Sequence, residues 1–102
     1  MTEFEQGLAA WKATPGAILA DLRDAEDYDA GHIPGAVRLS LNTLREDLAE
    51  LAETDTPVFL YCYAGMRSWQ AEALLQAMGY EAATSIGGID GYRGELEETP
   101  ET

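Results

Sequence analysis

The chain has 102 residues, of which six are basic and nineteen acidic, giving a formal net charge of −13. This length suits one domain with one hydrophobic core, and the charge argues against nucleic acid or an anionic membrane surface as a partner, because both need cationic contacts. No stretch approaches the ~18 consecutive apolar residues of a membrane span, and the acidic N-terminus lacks the basic and apolar regions of a signal peptide.

Helices and strands alternate along the predicted chain. Helices are expected where apolar residues recur at helical spacing, and strands where short apolar runs lie between turn residues. In chain order we predict helix 4–12, strand 17–22, helix 24–28, strand 36–39, helix 42–53, strand 58–61, helix 68–78, strand 82–86 and a helical segment at 89–92. This alternation indicates an α/β domain with a mainly parallel central sheet and helices on both faces.

Side chains at helix starts and along helix faces add local detail. Asp24 is expected to cap the second helix, and Ser40 or Asn42 the third, because short polar side chains accept hydrogen bonds from free N–H groups there. The third helix is expected to bury one apolar stripe. That stripe consists of Leu44, Leu48 and Leu51.

The C-terminal segment differs in composition from the rest of the chain. Residues 95–102 are rich in acidic residues and contain Leu96 as the one apolar anchor. Such a segment cannot bury enough apolar surface to offset the entropy lost on ordering. We therefore predict a domain at 1–94 followed by a frayed acidic tail at 95–102.

The single cysteine, Cys62, is the candidate nucleophile. It ends the apolar run 58–61 and precedes a turn with Gly65 and then a helix, so main-chain N–H groups and the helix dipole are expected to converge on its thiol. Such donors lower the pKa of a thiol and favour the thiolate, its nucleophilic form. One cysteine cannot form an internal disulfide and, with one histidine, makes no metal site, so we expect no metal, no cofactor and a reducing cytoplasm.

The residues after Cys62 are predicted to form the active-site and substrate-binding loop. They are Tyr63, Ala64, Gly65, Met66, Arg67 and Ser68. Arg67, the one cation of the loop, is expected to contact an anionic substrate or to orient the loop. Ser68 is expected to cap the following helix, to donate a hydrogen bond to the Cys62 sulfur, or both.

Three polar residues upstream are candidates for the rim of the site or for structural support. Asp21 and Arg23 are expected to form an ion pair near a strand end, and Arg23 could instead reach the rim. His32 lies in the glycine- and proline-containing loop 31–35, where its imidazole is expected to bond loop main-chain groups rather than act as a base.

Three segments, taken together and in order, resemble the rhodanese-like family. They are Asp21-Leu22-Arg23 with Tyr28 and Gly31-His32-Ile33-Pro34-Gly35-Ala36, the loop 62–68, and Gly87-Gly88-Ile89-Asp90-Gly91-Tyr92. The resemblance spans residues 17–93 and implies a single-domain sulfurtransferase. Cys62 would take a sulfane sulfur from thiosulfate or a persulfide donor and, as a persulfide, pass it to cyanide, a thiol or a sulfur-relay protein.

Two departures and two alternatives accompany this resemblance. The two-domain thiosulfate enzymes of the family carry cations where this chain has Tyr63, Ala64 and Asp27, so thiosulfate is expected to bind weakly, with a high Michaelis constant that rises further with salt. One alternative is a non-catalytic binding or regulatory module. The other is a cysteine phosphatase or arsenate reductase, which the loop disfavours because four residues, rather than five, separate Cys62 from Arg67.

Overall fold

The computed structural model describes residues 1–100, in which helices and strands alternate along the chain. In order, the elements are α1 (Glu3–Lys12), β1 (Ile18–Asp21), α2 (Ala25–Ala30), β2 (Val37–Arg38), α3 (Leu44–Leu51), β3 (Val58–Cys62), α4 (Met66–Ala77) and β4 (Ala83–Gly88). None of the helices within 1–100 is long and apolar enough to cross a membrane.

The four strands form one parallel sheet in the order β2-β1-β3-β4. β1 and β3 are therefore central, and their carboxyl ends lie side by side, with Asp21 opposite Tyr61. At the next position of β3, Cys62 pairs with Gly88 at the end of β4. This edge of the sheet, where ligands bind in parallel α/β folds, carries the only cysteine.

Helices cover both faces of the sheet, as the sequence predicts. On one face, Phe4 and Leu8 of α1 pack with Tyr61 and Ile86. On the other face, helices α3 and α4 pack against the strands through a cluster of buried side chains. Their core residues are Leu44, Leu48, Ala71 and Leu75. The predicted α/β architecture with a parallel central sheet is confirmed.

The predicted helix caps are wrong in detail. Thr43, rather than Ser40 or Asn42, occupies the N-cap position of α3, and it makes no side-chain cap, because its hydroxyl donates to Asp47 at 2.7 Å. Ser40 instead accepts from the N–H of Asn42 within a turn. Asp24 does hold the N-cap position of α2, also without a side-chain cap bond.

Leu51 does not belong to the buried stripe of α3. Leu44 and Leu48 are fully buried, whereas Leu51 is 52% exposed. The helix ends at Leu51, two residues earlier than predicted. Leu51, the last residue of the helix, therefore lies outside the buried cluster.

The end of β4 also differs from the prediction. A register shift opposite Leu60 and Tyr61 lets β4 continue to Gly88, where the sequence predicts a turn. The segment 89–92 forms a turn instead of a helix, closed by the N–H of Tyr92 donating to the Ile89 carbonyl at 2.9 Å. The strand is longer because a bulge absorbs the extra residue that would otherwise end the pairing.

The C-terminal segment is attached to the domain as far as Thr99. Glu97 and His32 exchange two main-chain hydrogen bonds, of 2.7 and 2.9 Å, in an antiparallel bridge, and the N–H of Thr99 donates to the Asp29 carbonyl. The prediction of a frayed tail is therefore wrong for residues 95–99, because main-chain pairing, rather than apolar burial, holds this segment against the domain. Residues 101–102 lie outside the described residues, and the domain boundary at 94 stays a prediction.

Candidate active site

The Cys62 sulfur lies against main-chain N–H groups of the loop that follows β3. The N–H of Gly65 donates to Sγ at 3.1 Å and the N–H of Ser68 at 3.4 Å. The Cys62 residue is 1% exposed, and its other flank packs in the apolar cluster beneath α3 and α4. The sulfur therefore lies between the loop N–H groups and the apolar cluster.

Burial and hydrogen bonds act in opposite directions on the pKa of the Cys62 thiol. Burial, the largest single influence, raises the pKa of Cys62, but hydrogen bonds with the N–H and the side chain of Ser68 oppose it. The N–H groups of Gly65 and Arg67 oppose it as well, and the net result is a pKa below the ordinary value. Hydrogen bonds from the loop thus outweigh burial and lower the pKa of the thiol, the direction that the sequence predicts.

Two glycines give the loop its shape. Gly65 is the N-cap of α4 and has φ +102, a left-handed conformation that other residues adopt only with strain. Gly88 packs directly beneath the loop, where a Cβ would lie 2.8 Å from the Cα of Ala64 and closer still to the carbonyl oxygen of Tyr63. The loop can approach β4 this closely only because position 88 has no side chain.

Main-chain hydrogen bonds fix the start of the loop to the turn after β4. The N–H of Ile89 donates to the Cys62 carbonyl at 2.9 Å, and the N–H of Asp90 to the Tyr63 carbonyl at 3.0 Å. The Tyr63 hydroxyl donates to the Asp90 carboxylate at 3.0 Å. The double-glycine segment of the sequence thus packs against the start of the loop and holds it in place.

Ser68 is fully buried behind the sulfur. It is not the helix cap, since α4 begins at Met66 after Gly65. Its hydroxyl lies 3.7 Å from the Cys62 sulfur, 3.0 Å from the Gly65 carbonyl and 2.8 Å from the hydroxyl of Ser85. Sequence reasoning missed Ser85, because only the register of β4 brings that residue to the loop.

Arg67 and the remaining loop residues lie at the surface. The guanidinium of Arg67 pairs with the exposed carboxylate of Asp24 at 3.5 Å. Met66 and Tyr63 are both more than half exposed. Arg67 is thus paired with an acidic neighbour at the surface of the loop, and its contact with an anionic substrate stays a prediction.

Asp21 and Arg23 form the expected ion pair, at 2.8 Å and almost fully buried. The carboxylate of Asp21 also accepts from the hydroxyl of Tyr61 at 2.7 Å, and Arg23 donates to the Gly31 carbonyl. Burial and the bond to Asp21 raise the pKa of Tyr61 well above its ordinary range. Arg23 therefore connects β1 to the 31–35 loop instead of reaching the rim, and Tyr61 is a partner that the sequence did not reveal.

His32 bonds a main-chain group, as predicted, but that group belongs to α2 rather than to the loop 31–35. Its Nδ1 lies 2.7 Å from the Tyr28 carbonyl, and its ring stacks on the Tyr28 ring at 3.7 Å between centroids. Its Nε2 lies 3.9 Å from the Glu97 carboxylate. These contacts attach the histidine to α2 and to the C-terminal segment.

A cleft of about 510 Å³ lies between the start of α1 and the turn after β4. It is lined by Phe4, Ile86, Tyr92 and neighbouring residues, but not by Cys62. The cleft therefore does not include the sulfur on which the N–H groups of the loop converge.

Comparison with known proteins identifies the family that the sequence resembles. The rhodanese-like domain model matches residues 2–95. The chain is 37% identical over 89 residues to the thiosulfate sulfurtransferase GlpE of Tolumonas auensis, with 86% of this chain and 83% of that protein covered. It is 38% identical over 99 residues to the GlpE of Pseudomonas entomophila, with 91% and 88% covered.

A solved structure of a rhodanese with anions from E. coli superposes with a TM-score of 0.74 at 28% identity, covering 81% of this chain and 99% of that one. The relatives confirm the predicted sulfurtransferase class. With a parallel sheet, a cysteine at the end of β3 and a loop of main-chain donors around its sulfur, the chain belongs to the rhodanese-like domain family.

Proposed function

We propose that Cys62 transfers sulfane sulfur through a persulfide. The Cys62 thiolate attacks the outer sulfur of the donor, a new S–S bond forms, and the donor's own S–S bond breaks. With thiosulfate the leaving group is sulfite, which takes the bonding electron pair. An acceptor nucleophile then attacks the outer sulfur of the persulfide, and the Cys62 thiolate leaves unchanged. Such two-step covalent catalysis predicts ping-pong kinetics.

The arrangement of N–H groups around the Cys62 sulfur is the observation that supports this proposal most strongly. Donors at 3.1 and 3.4 Å favour the anionic nucleophile, and a persulfide leaves a terminal sulfur of the same charge in the same loop. One cysteine is sufficient because the second nucleophile comes from outside. The fixed loop therefore suits both half-reactions without rearrangement of a base.

Thiosulfate is the simplest donor to propose, but the charges of the chain favour a protein persulfide or a low-molecular-weight persulfide as the donor. The relatives are named thiosulfate sulfurtransferases. In this chain, however, the loop contains one cation, and that cation is paired with Asp24. A dianion approaching a protein of charge −13 is repelled. A thiol or sulfur-relay protein is the corresponding acceptor, and cyanide is its laboratory substitute.

The persulfide is tested directly by intact-protein mass. After incubation with thiosulfate, or with a glutathione persulfide donor, we expect a gain of about 32 Da, one sulfur, that disappears when cyanide is added. Cys62→Ser provides the matched control and should gain no mass with either donor. If wild type gains no sulfur from any donor, the chain is a binding module rather than an enzyme.

Phosphatase and arsenate-reductase activities are separated in parallel. The four-residue spacing between Cys62 and Arg67 gives a loop that closes on a single sulfur atom. We therefore expect no turnover of a phosphate ester or of arsenate under conditions in which the persulfide forms. The free thiol must remain reduced between turnovers, which supports a reducing compartment such as the cytoplasm.

A further inference from the structure

Three large apolar side chains within or directly after the sulfur loop face solvent. Tyr63 is 54%, Met66 66% and Trp69 64% exposed. We call these three residues the apolar rim. Met66 and Trp69 stand three positions apart on the first turn of α4 and so share a helix face, while Tyr63 directly follows the nucleophile.

Such an arrangement is unusual for a free surface. Across 1–100, seven large hydrophobic residues are exposed, and three of them lie within eight residues of one another, around Cys62. Trp and Tyr are enriched among the residues that contribute most binding energy at protein interfaces, and Met is enriched in interfaces, whereas scattered surface leucines are ordinary. A rim that served only small molecules would gain nothing from an exposed tryptophan beyond the loop.

Charge at the rim indicates the kind of partner. Acidic residues flank it on two sides, with Asp90 bonded to the Tyr63 hydroxyl and Asp24 paired with Arg67. The whole chain carries −13. A second copy of the chain would therefore bring like charges together at this surface, as would nucleic acid or an anionic membrane.

From these observations, and resting on the proposed persulfide chemistry, we propose that the apolar rim is the docking surface for a basic sulfur-relay protein. That protein would insert a cysteine, set among apolar residues and flanked by lysine or arginine, into the loop. Its thiolate attacks the outer sulfur of the Cys62 persulfide, the S–S bond to Cys62 breaks, and the Cys62 thiolate leaves. The partner's cysteine becomes the new persulfide, and no outside oxidant or reductant is needed.

The proposal is tested with synthetic peptide acceptors and persulfide-loaded protein. Two peptides of equal length each hold one cysteine between leucines, with lysines at the flanking positions in one and glutamates in the other. A third keeps the lysines but replaces the leucines with serines. At low salt we expect the lysine–leucine peptide to accept sulfur about tenfold or more faster than either of the others, and salt should remove its advantage over the glutamate peptide.

Trp69→Gln is the diagnostic variant, because Trp69 lies outside the loop and is exposed. We expect it to slow transfer to the lysine–leucine peptide about tenfold while leaving transfer to cyanide unchanged. The matched control is Leu51→Gln, since Leu51 is 52% exposed at the far end of α3. That variant should behave as wild type in both assays.

Several outcomes would overturn the proposal. Equal rates for the lysine and glutamate peptides would remove the charge argument, and an equal loss of cyanide and peptide transfer in Trp69→Gln would make that residue part of the loop's own machinery. A concentration-dependent dimer in sedimentation, dissociated by Trp69→Gln, would assign the rim to a second copy. Failure to load sulfur at all would instead contradict the proposed function, and is seen before any peptide is added.

Discussion

Gly88→Ala is the sharpest perturbation of this site. Gly88 carries no left-handed φ, so alanine causes no backbone strain there, and its effect is steric alone. The new Cβ would lie 2.8 Å from the Cα of Ala64, against an ordinary contact of 3.4 Å or more, and the carbonyl oxygen of Tyr63 would be closer still. The loop must therefore move away from β4 by at least 0.6 Å, the difference between 3.4 and 2.8 Å.

That displacement reaches the sulfur. The Asp90 to Tyr63 main-chain bond of 3.0 Å and the Gly65 N–H at 3.1 Å from Sγ both depend on the position of this loop. Overpacking of a tight site costs about 1–3 kcal/mol of folding stability, and misplacement of catalytic groups on this scale lowers rates by roughly 10- to 100-fold. We expect losses of this size in the rate of persulfide formation, measured by mass, and in the free energy of unfolding, measured in urea.

Gly16→Ala is the matched control for lost stability. Gly16 has φ +76, and no atom lies within 4 Å of the position that a Cβ would take there. It belongs to the turn between α1 and β1, distant in sequence from the loop. Strain at φ > 0 costs about 1–2 kcal/mol, but persulfide formation should remain at the wild-type rate well below the melting temperature. Wild-type loading and stability in Gly88→Ala would show that the loop does not rest on β4.

The remaining predictions concern the thiol, the buried ion pair and the C-terminal segment. Alkylation of Cys62 by iodoacetamide should titrate at a lower pH in the folded protein than in urea, and Ser68→Ala should move that titration toward the urea value. Folding lowers the pKa of Cys62. The thiolate's contribution to stability is therefore complete above the unfolded pKa of about 8.5 and is lost as the pH falls through the folded pKa. The free energy of unfolding of wild type and Cys62→Ser, measured in urea across pH, tests this dependence. Asp21→Ala should destabilise the fold by about 3–5 kcal/mol in urea, because it leaves the buried Arg23 guanidinium without its counter-charge. Removal of residues 95–102 should reduce stability by about 1–3 kcal/mol through lost main-chain bonds, with persulfide formation retained.

Each of these has a clear contrary result. Identical titrations in folded and urea-unfolded protein would mean that the amides do not act on the sulfur. A fully stable Asp21→Ala variant would show that the ion pair contributes little. A truncated chain with unchanged stability would mean that the C-terminal segment does not hold its place against His32.

The architecture and the position of the cysteine could be predicted because both leave local patterns in the sequence. Four short apolar runs that alternate with helical segments specify a parallel sheet. Because the cysteine follows the third run and precedes a glycine turn, it is placed at the carboxyl end of a strand. The errors lie where non-local contacts override local patterns. The bulge that extends β4 depends on pairing with β3, and the C-terminal segment is held by main-chain bonds to His32 that no side-chain pattern encodes.

The residues that support the site from behind could not be found in the sequence for the same reason. Ser85 and Tyr61 look like ordinary strand residues, and only strand register places one hydroxyl at Ser68 and the other at Asp21. Ser68 itself looks like a helix cap by position. Its burial behind the sulfur becomes evident only when the helix is found to begin two residues earlier.

Two different sets of charges act on this site, at two ranges. Within 3.4 Å of the sulfur, N–H dipoles of the loop favour an anion, and they act even though the chain as a whole carries −13. At longer range, up to the roughly 8–10 Å over which charges interact in physiological salt, the acidic surface dominates and disfavours the approach of free anions. A sulfur carried by a basic protein is favoured at both ranges. The acidic surface attracts the basic carrier at long range, and the N–H groups of the loop act on the sulfur alone at short range. The same charge balance that is expected to weaken thiosulfate binding therefore favours the protein partner proposed above.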